Sequence, residues 1–403
     1  MHIISPERYK SRSSKHRTWK YVVFALIVIV IAGVVNYLRP LPAATLTMHV
    51  TTPTANEPEL AWPSSGQAAV AADKFGLIDT FGTQTPLATA STAKVIVALC
   101  VLSKEPLTIG EAGPTYTVNA SDVTIFKNYI AEDGSLLPVE QGEQITEYQA
   151  LEALMIPSAN NIADSLVQWV FGSQSAYATY ANAFLQEDGL DTTHIGTDAS
   201  GYDPSTTSSA SNLAQLGLLA LKNPVLMQIA GQKSAVLPVA GKVPNYDTVL
   251  GQDGINGLKT GNNSVDTGAF IFTSSVKIGN QTIPLTGAVM GAPNLNTALQ
   301  ESIRLDESFQ RGFKQITIAK AGQSVGDIYT RWGEHAPLLA KGQLQLIRWG
   351  ATPITQKTHV DLKQRMGVVG SLNVVAGPVS SQTPLKLDHT LTLPSFWWRL
   401  TRH

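Results

Sequence analysis

Thr89-Ala-Ser-Thr-Ala-Lys-Val-Ile-Val-Ala-Leu-Cys-Val-Leu102 is the stretch on which the reading of this chain turns. Its first six residues mix hydroxyls, small side chains and one Lys. The eight that follow are apolar with no polar face. Their β-branched members suit a strand, but the length and the Thr89/Ser91 start favour a buried helix. Ser91-Thr-Ala-Lys94 within it is an S-x-x-K. On a helix, residues three apart share a face, so the Lys94 amine comes beside the Ser91 hydroxyl. A free Ser hydroxyl is a weak nucleophile at neutral pH and needs such a partner. Lys acts as a base only when burial or a neighbouring positive charge lowers its pKa. The lone Cys100 lies in the apolar run and reads as a core residue without a disulfide.

By itself an S-x-x-K is cheap, since about one is expected by chance in a chain of this length. Ser274-Ser-Val-Lys277 is a second match, placed by its surroundings at a hairpin turn, where the spacing puts the two groups on no common face. Two further motifs follow Ser91 in order. Ser158-Ala-Asn160 comes just after Pro157 between two helical patterns, where an ordinary helix N-cap is the plain alternative. Ser371-Leu-Asn373 repeats that pattern elsewhere and shows how little it says alone. Lys259-Thr-Gly261 occurs once, and its plain alternative is a strand end with a glycine bend. Its functional reading is a second amine near the nucleophile, a hydroxyl for a carboxylate, and a glycine that lets a substrate backbone approach.

Around these motifs the coarse pattern is a larger α+β unit followed by a smaller β-rich one. Strands are expected at Gln67–Asp73, Phe75–Phe81, Ala269–Thr273 and Pro284–Met290, with a turn at Gly279-Asn280. Helices are expected from Thr146 to Pro157, from Asn161 towards Phe171, over Ser175–Gln186, Ser209–Leu221 and Leu295–Phe313. After residue 315 short apolar runs such as Gln315–Ile318 and Val368–Leu372 alternate with Gly and Pro. The expected divisions are a basic segment at 1–20, a transmembrane anchor at 21–38, a linker at 39–60, a catalytic unit at 61–314, a β-rich unit at 315–392 and an aromatic tail at 393–403.

Tyr21–Leu38 carries no charge over 18 residues, about 27 Å as a helix. Residues 1–20 hold six basic side chains and one acidic one, and after Arg39 no Lys or Arg occurs before Lys74. The asymmetry puts the N-terminus in the cytoplasm and the rest outside. A cleaved signal peptide is the competing reading; the run is long for one, and Pro42-Ala-Ala44 matches a cleavage site poorly. The chain has a net charge of −1, and with the basic N-terminus set aside its body is mildly acidic, which offers no electrostatic footprint for nucleic acid. Histidines such as His194 show no metal-ligand spacing and read as surface or loop residues. Pro394-Ser-Phe-Trp-Trp-Arg-Leu-Thr-Arg-His403 is aromatic and basic, suited equally to a membrane interface or to packing on the β-rich unit.

The order S-x-x-K, S-x-N, K-T-G resembles that of penicillin-binding proteins and class A β-lactamases. With the flanks Thr89–Lys94, Ile156–Asn161 and Gly257–Gly261, and the stretches Ser208–Ala214 and Gly287–Gly291, the chain resembles the low-molecular-weight D-alanyl-D-alanine carboxypeptidases from about Gln67 to Gly312. The resemblance implies an α+β fold, an antiparallel sheet with a helical cluster, and a small β-rich domain after it. It implies a serine peptidase that acts on the D-Ala-D-Ala end of peptidoglycan stem peptides, is acylated by β-lactams, and needs no metal or organic cofactor. Ser91 would attack, Lys94 take its proton, Ser158 relay it to the leaving D-Ala, Asn160 orient Lys94 or hold a substrate amide, and Lys259 keep the site electropositive and support Ser158. Thr260 would contact the terminal carboxylate beside Gly261, and the N–H groups of Ser91 and Asn262 would form the oxyanion hole. The chain departs from the family where relatives often carry arginines: Ser211 and the stretch Ala292-Pro-Asn-Leu-Asn296 stand there, the next Arg being Arg304. The loop Asn262–Gly268 departs too. A β-lactamase, or a penicillin-binding module without turnover, are the alternatives. The first needs a deacylating base, commonly in an E-x-x-L-N loop, and no such sequence lies between Ser158 and Lys259.

Overall fold

The computed structural model describes residues 14–263 and 267–402. The basic residues Arg8, Lys10 and Arg12, and positions 264–266 of the loop after Gly261, lie outside the described residues.

The first described element is helix α1, Ser14–Leu38, whose part from Tyr21 onward is apolar on all sides and mostly exposed, and which is long and apolar enough over Arg17–Leu38 to cross a membrane. Strand β1, Thr45–Met48, follows only six residues later. It pairs antiparallel with a strand of the β-rich unit, Thr45 opposite Tyr329 and Met48 opposite Gly326. The expected linker at 39–60 is therefore corrected: it supplies an edge strand and a core side chain, Ala44. Four residues of alternating pattern are too few to stand out from a Pro/Thr-rich background.

Strands β2 (Gln67–Ala72) and β3 (Gly76–Phe81) lead to a 3₁₀ turn at Ala90–Ala93 and to helix α2, Lys94–Lys104. Every residue of α2 from Lys94 to Leu102 is buried, which explains its lack of a polar face. Helices α3 (Ala120–Ala131), α4 (Glu147–Met155), α5 (Asn160–Phe171), α6 (Gln174–Glu187), α7 (Ala210–Leu221) and α8 (Pro224–Ala230) pack around it. Sequence reading misses α3 and α8. The first has one strong start signal, the Asn119–Asp122 capping box. The second has only Pro at its first turn after an Asn cap.

Strands β4 (Gly257–Asn263), β5 (Thr267–Ile278) and β6 (Gln281–Ala292) complete an antiparallel five-stranded sheet in the order β4-β5-β6-β2-β3. Lys259-Thr-Gly261 is thus interior to an edge strand, not at a strand end, with Lys259 opposite Ile271. Ser274 and Lys277 lie within β5 rather than at the turn. Three residues apart on a strand puts them on opposite faces, and Ser274 Oγ donates to buried Asp306 at 2.7 Å. One sheet face packs on the helical cluster and the other on helix α9, Leu295–Arg311.

The C-terminal part comprises β7 (Phe313–Ala319), β8 (Ser324–Tyr329), β9 (His335–Ala340), β10 (Leu344–Trp349), β11 (Ile354–Val360), β12 (Val368–Ala376) and β13 (Val379–Leu387). Six strands form one sheet, β1-β8-β9-β13-β12-β11, and β7 pairs with β10. Asp327 on β8 is flanked by His49 at 2.6 Å and His335 at 2.8 Å, a tie between neighbouring strands of the sheet that sequence spacing does not reveal. The tail forms α10, Phe396–Thr401. It packs on the β-rich unit, one of the two expected places, and also on α1: Trp398 meets Trp332 of the β8–β9 turn and Phe396 meets Tyr37, at centroid distances of 5.7 and 5.5 Å.

Candidate active site

Ser91 sits in the 3₁₀ turn and Lys94 is the first residue of α2. Lys94 Nζ lies 2.8 Å from Ser91 Oγ, 2.7 Å from Asn160 Oδ1 and 2.9 Å from Ser200 O. The amine is fully buried. Burial above all, then Lys259, pulls its pKa well below the ordinary lysine value, opposed by Asp198 and Asp164. Its place at a helix N-terminus further disfavours the cation. A neutral amine has two hydrogens and one lone pair. The amide oxygen and the carbonyl can only accept, so they take the hydrogens and leave the lone pair facing the Ser91 hydroxyl. That is the arrangement a general base needs.

The Ser200 carbonyl is the member of this set that sequence reading missed, because a backbone oxygen has no residue-type signature. It is held by side chains. Ser200 Oγ donates to Asp198, Tyr129 OH donates to Asp164 at 2.8 Å, and Ala199 N donates to Asp164 at 3.2 Å. Burial pushes Asp164 up to about 6. The one local signal is Gly201: with φ of 71°, a Cβ there would stand 2.1 Å from Ala90 O.

Ser158-Ala-Asn160 does not cap a helix by its side chain. Ala159 is the cap residue of α5, without a side-chain hydrogen bond, and Asn160 spends its oxygen on Lys94. Ser158 is buried with φ of 61°, and its Oγ has no hydrogen-bond partner among the described residues. Ala90, next to Ser91, has φ of 47°. Two non-glycine residues in this region each cost about 1–3 kcal/mol, strain of the kind that clusters at functional sites. Lys259, expected to keep the site electropositive and support Ser158, makes no hydrogen bond to it among the described residues. Lys259 Nζ donates to Thr260 O at 3.1 Å. Burial brings its pKa down to about 7, against an opposing pull from Asp247.

Gly261 is required by packing. A Cβ would meet Thr89 O at 3.0 Å and Thr92 Cγ2 at 3.1 Å, so the glycine lets β4 lie against the turn that carries Ser91. Ser91, Asn160 and Asn262 line one cleft of about 520 Å³, and Glu132, Asp133 and Asp203 line it too. No arginine is among the cleft-lining residues. Ser211 sits at the start of α7, its Oγ 2.8 Å from Ser209, and Arg304 is exposed on α9.

Fold, motif order and cleft together describe a serine peptidase of the penicillin-binding class. The chain belongs to the D-alanyl-D-alanine carboxypeptidase family, whose model matches residues 77–294. It is 25% identical over 257 residues to D-alanyl-D-alanine carboxypeptidase DacD of Salmonella typhimurium, covering 60% of this chain and 62% of that enzyme. To DacB2 of Mycobacterium tuberculosis it is 30% identical over 179 residues, 43% of this chain and 57% of that one. Among solved structures, penicillin binding protein 5 from Haemophilus influenzae superposes with a TM-score of 0.58 at 17% identity, covering 85% of this chain and all of that one. The Streptomyces K15 DD-transpeptidase gives 0.53 at 18%, over 62% of this chain and 98% of that one.

Proposed function

We propose that this chain is a membrane-anchored carboxypeptidase that removes the terminal D-Ala from peptidoglycan stem peptides through an ester on Ser91. The observation that carries it is the buried Lys94 amine, oriented by two obligate acceptors with its remaining site at 2.8 Å from the Ser91 hydroxyl. Lys94 takes the proton as Ser91 Oγ attacks the penultimate carbonyl. Ser158, with an unspent hydroxyl, passes a proton to the leaving amine. The backbone N–H groups of Ser91 and Asn262 stabilise the oxyanion, a contribution of about 3 kcal/mol per donor. Lys259 and Thr260 attract the terminal carboxylate, and water then hydrolyses the ester. β-Lactams acylate the same oxygen.

The helix α1 is read as an uncleaved anchor with the basic N-terminus inside and both folded units outside. The catalytic unit is taken as residues 61–314. The β-rich unit is taken as 315–392 together with residues 44–50, of which Ala44, Leu46, Met48 and Val50 pack in or against its core. A cleft without arginine favours, as a second reading, cross-linked stem peptides with no free carboxylate at that point. The test is D-Ala release from a soluble pentapeptide ending in D-Ala-D-Ala, beside conversion of a cross-linked dimer into two monomeric peptides. Free D-Ala from the pentapeptide, lost in Ser91→Ala, supports the carboxypeptidase. Cleavage of the dimer alone makes it an endopeptidase. Rapid turnover of benzylpenicillin with no peptide cleavage would replace both with a β-lactamase.

A further inference from the structure

Beyond the catalytic cleft, the structure places three arginines around one cavity of about 730 Å³ at the outer end of α1: Arg39, Arg331 and Arg402, with Trp398 and Pro40 beside them. They come from three elements, the end of the apolar helix, the β8–β9 turn and the residue after α10. Arg402 spends its guanidinium on neutral carbonyls. It donates to Asn36 O at 2.8 Å, to Pro40 O at 3.1 Å and to Arg39 O, and lies over the Trp398 ring at 5.6 Å. Asn36 in turn donates to Leu400 O and Arg402 O, so the docking of α10 on α1 is built from both sides. Arg39 makes only a 3.5 Å contact with Asn36 Oδ1 and is exposed, as is Arg331. Among the described residues every Asp or Glu in an ion pair is paired with a histidine, so none neutralises these three charges.

Three permanent cations around one cavity, with no carboxylate among the described residues that line it, repel one another until an anion enters. The planar fork of a guanidinium matches the oxygens of a phosphate. The depth is equally specific. The apolar run ends at Leu38, and headgroups begin directly beyond the hydrocarbon edge. Phe396 and Trp397, 57% and 72% exposed, lie at the same end of α1, as aromatic residues do at a bilayer interface. We propose that this cavity binds the phosphate of an anionic phospholipid headgroup, which ties α1, α10 and the β8–β9 turn together and sets the height and tilt of the folded units above the bilayer. The proposal rests on α1 being an anchor, and the two claims are tested separately.

The anchor is tested first, by carbonate extraction of full-length protein from membranes. Release into the supernatant removes the anchor reading and this proposal with it. With the anchor retained, full-length protein is exchanged into nanodiscs of phosphatidylglycerol mixed with phosphatidylcholine, and retained lipid is counted by native mass spectrometry. The expected result is retained phosphatidylglycerol in the wild type, reduced about 30-fold in Arg39→Gln/Arg331→Gln and largely kept in Arg331→Lys, which keeps the charge. All variants keep penicillin labelling, which reports an intact fold. Equal retention of both lipids, or no loss in the double variant, overturns the proposal. Displacement of phosphatidylglycerol by millimolar inorganic phosphate also overturns it, since the site then reads a free anion and not a lipid.

Discussion

At the scale of single residues, the central feature is the division of labour around one amine. Asn160 and Ser200 O fix two hydrogens of Lys94, and Ser91 receives the remaining position. Replacing Asn160 by Ala frees one of those hydrogens and lets the amine turn from Ser91. The expected loss is about 10²-fold in kcat with little change in KM, measured on the soluble pentapeptide. Lys259 carries a stability cost instead. Its pKa falls from the lysine range when unfolded to about 7 when folded. Between those values the unfolded chain binds more protons, so stability rises as pH increases from about 7 towards 10. Lys259→Met removes that slope. At pH 7 it is expected to raise stability by about 2 kcal/mol while abolishing activity, read from urea melts at pH 7 and 9.5. Ser91, Lys94 and Lys259 were legible as motif residues because side-chain type marks them, and Ser91 and Lys94 meet at 2.8 Å. The Ser200 carbonyl and its Tyr129–Asp164 support were not, because folding alone brings α3, α5 and the 198–201 loop together.

At the scale of elements, close approach of backbones decides which residues are tolerated. Gly261 lets β4 lie on the turn that carries Ser91, and Gly217 lets α7 cross the sheet, where an added Cβ would stand 2.1 Å from Thr286 Oγ1. Gly217→Ala is expected to destabilise the catalytic unit by about 1–3 kcal/mol, measured by thermal melting of the ectodomain. Long periodic helices such as α4, α5 and α9 were legible from apolar spacing and caps. Strand β1 was not, since its partner β8 is 276 residues or more away and only the pairing gives those four residues a structure. An ectodomain beginning at residue 52 loses this strand and bares the β8 edge. Compared with one beginning at residue 43, it is expected to melt about 5 °C lower in the β-rich unit and to self-associate with concentration, with peptide cleavage unchanged.

At the scale of the whole molecule, the two folded units share a core and do not hang from a linker. Trp349 of β10 packs on Phe309 of α9 and donates to its carbonyl at 3.2 Å. Trp349→Ala is expected to cost about 3 kcal/mol and to split one calorimetric transition into two. With β1 following α1 by six residues and α10 docked on the end of α1, the β-rich unit stands directly on the helix that would cross the bilayer. Helix α1 was legible as an uncharged run flanked by basic residues. Its contact with the tail was not, because that contact joins the two ends of the chain.

The claim that a buried, neutral Lys94 activates Ser91 is tested most directly by treating the ectodomain with benzylpenicillin and mapping the adduct by peptide mass spectrometry. The account predicts one covalent addition, on the peptide and the oxygen of Ser91, absent in Ser91→Ala and slowed at least about 10²-fold in Lys94→Met. An adduct on another residue, or labelling at the wild-type rate in Lys94→Met, would contradict it.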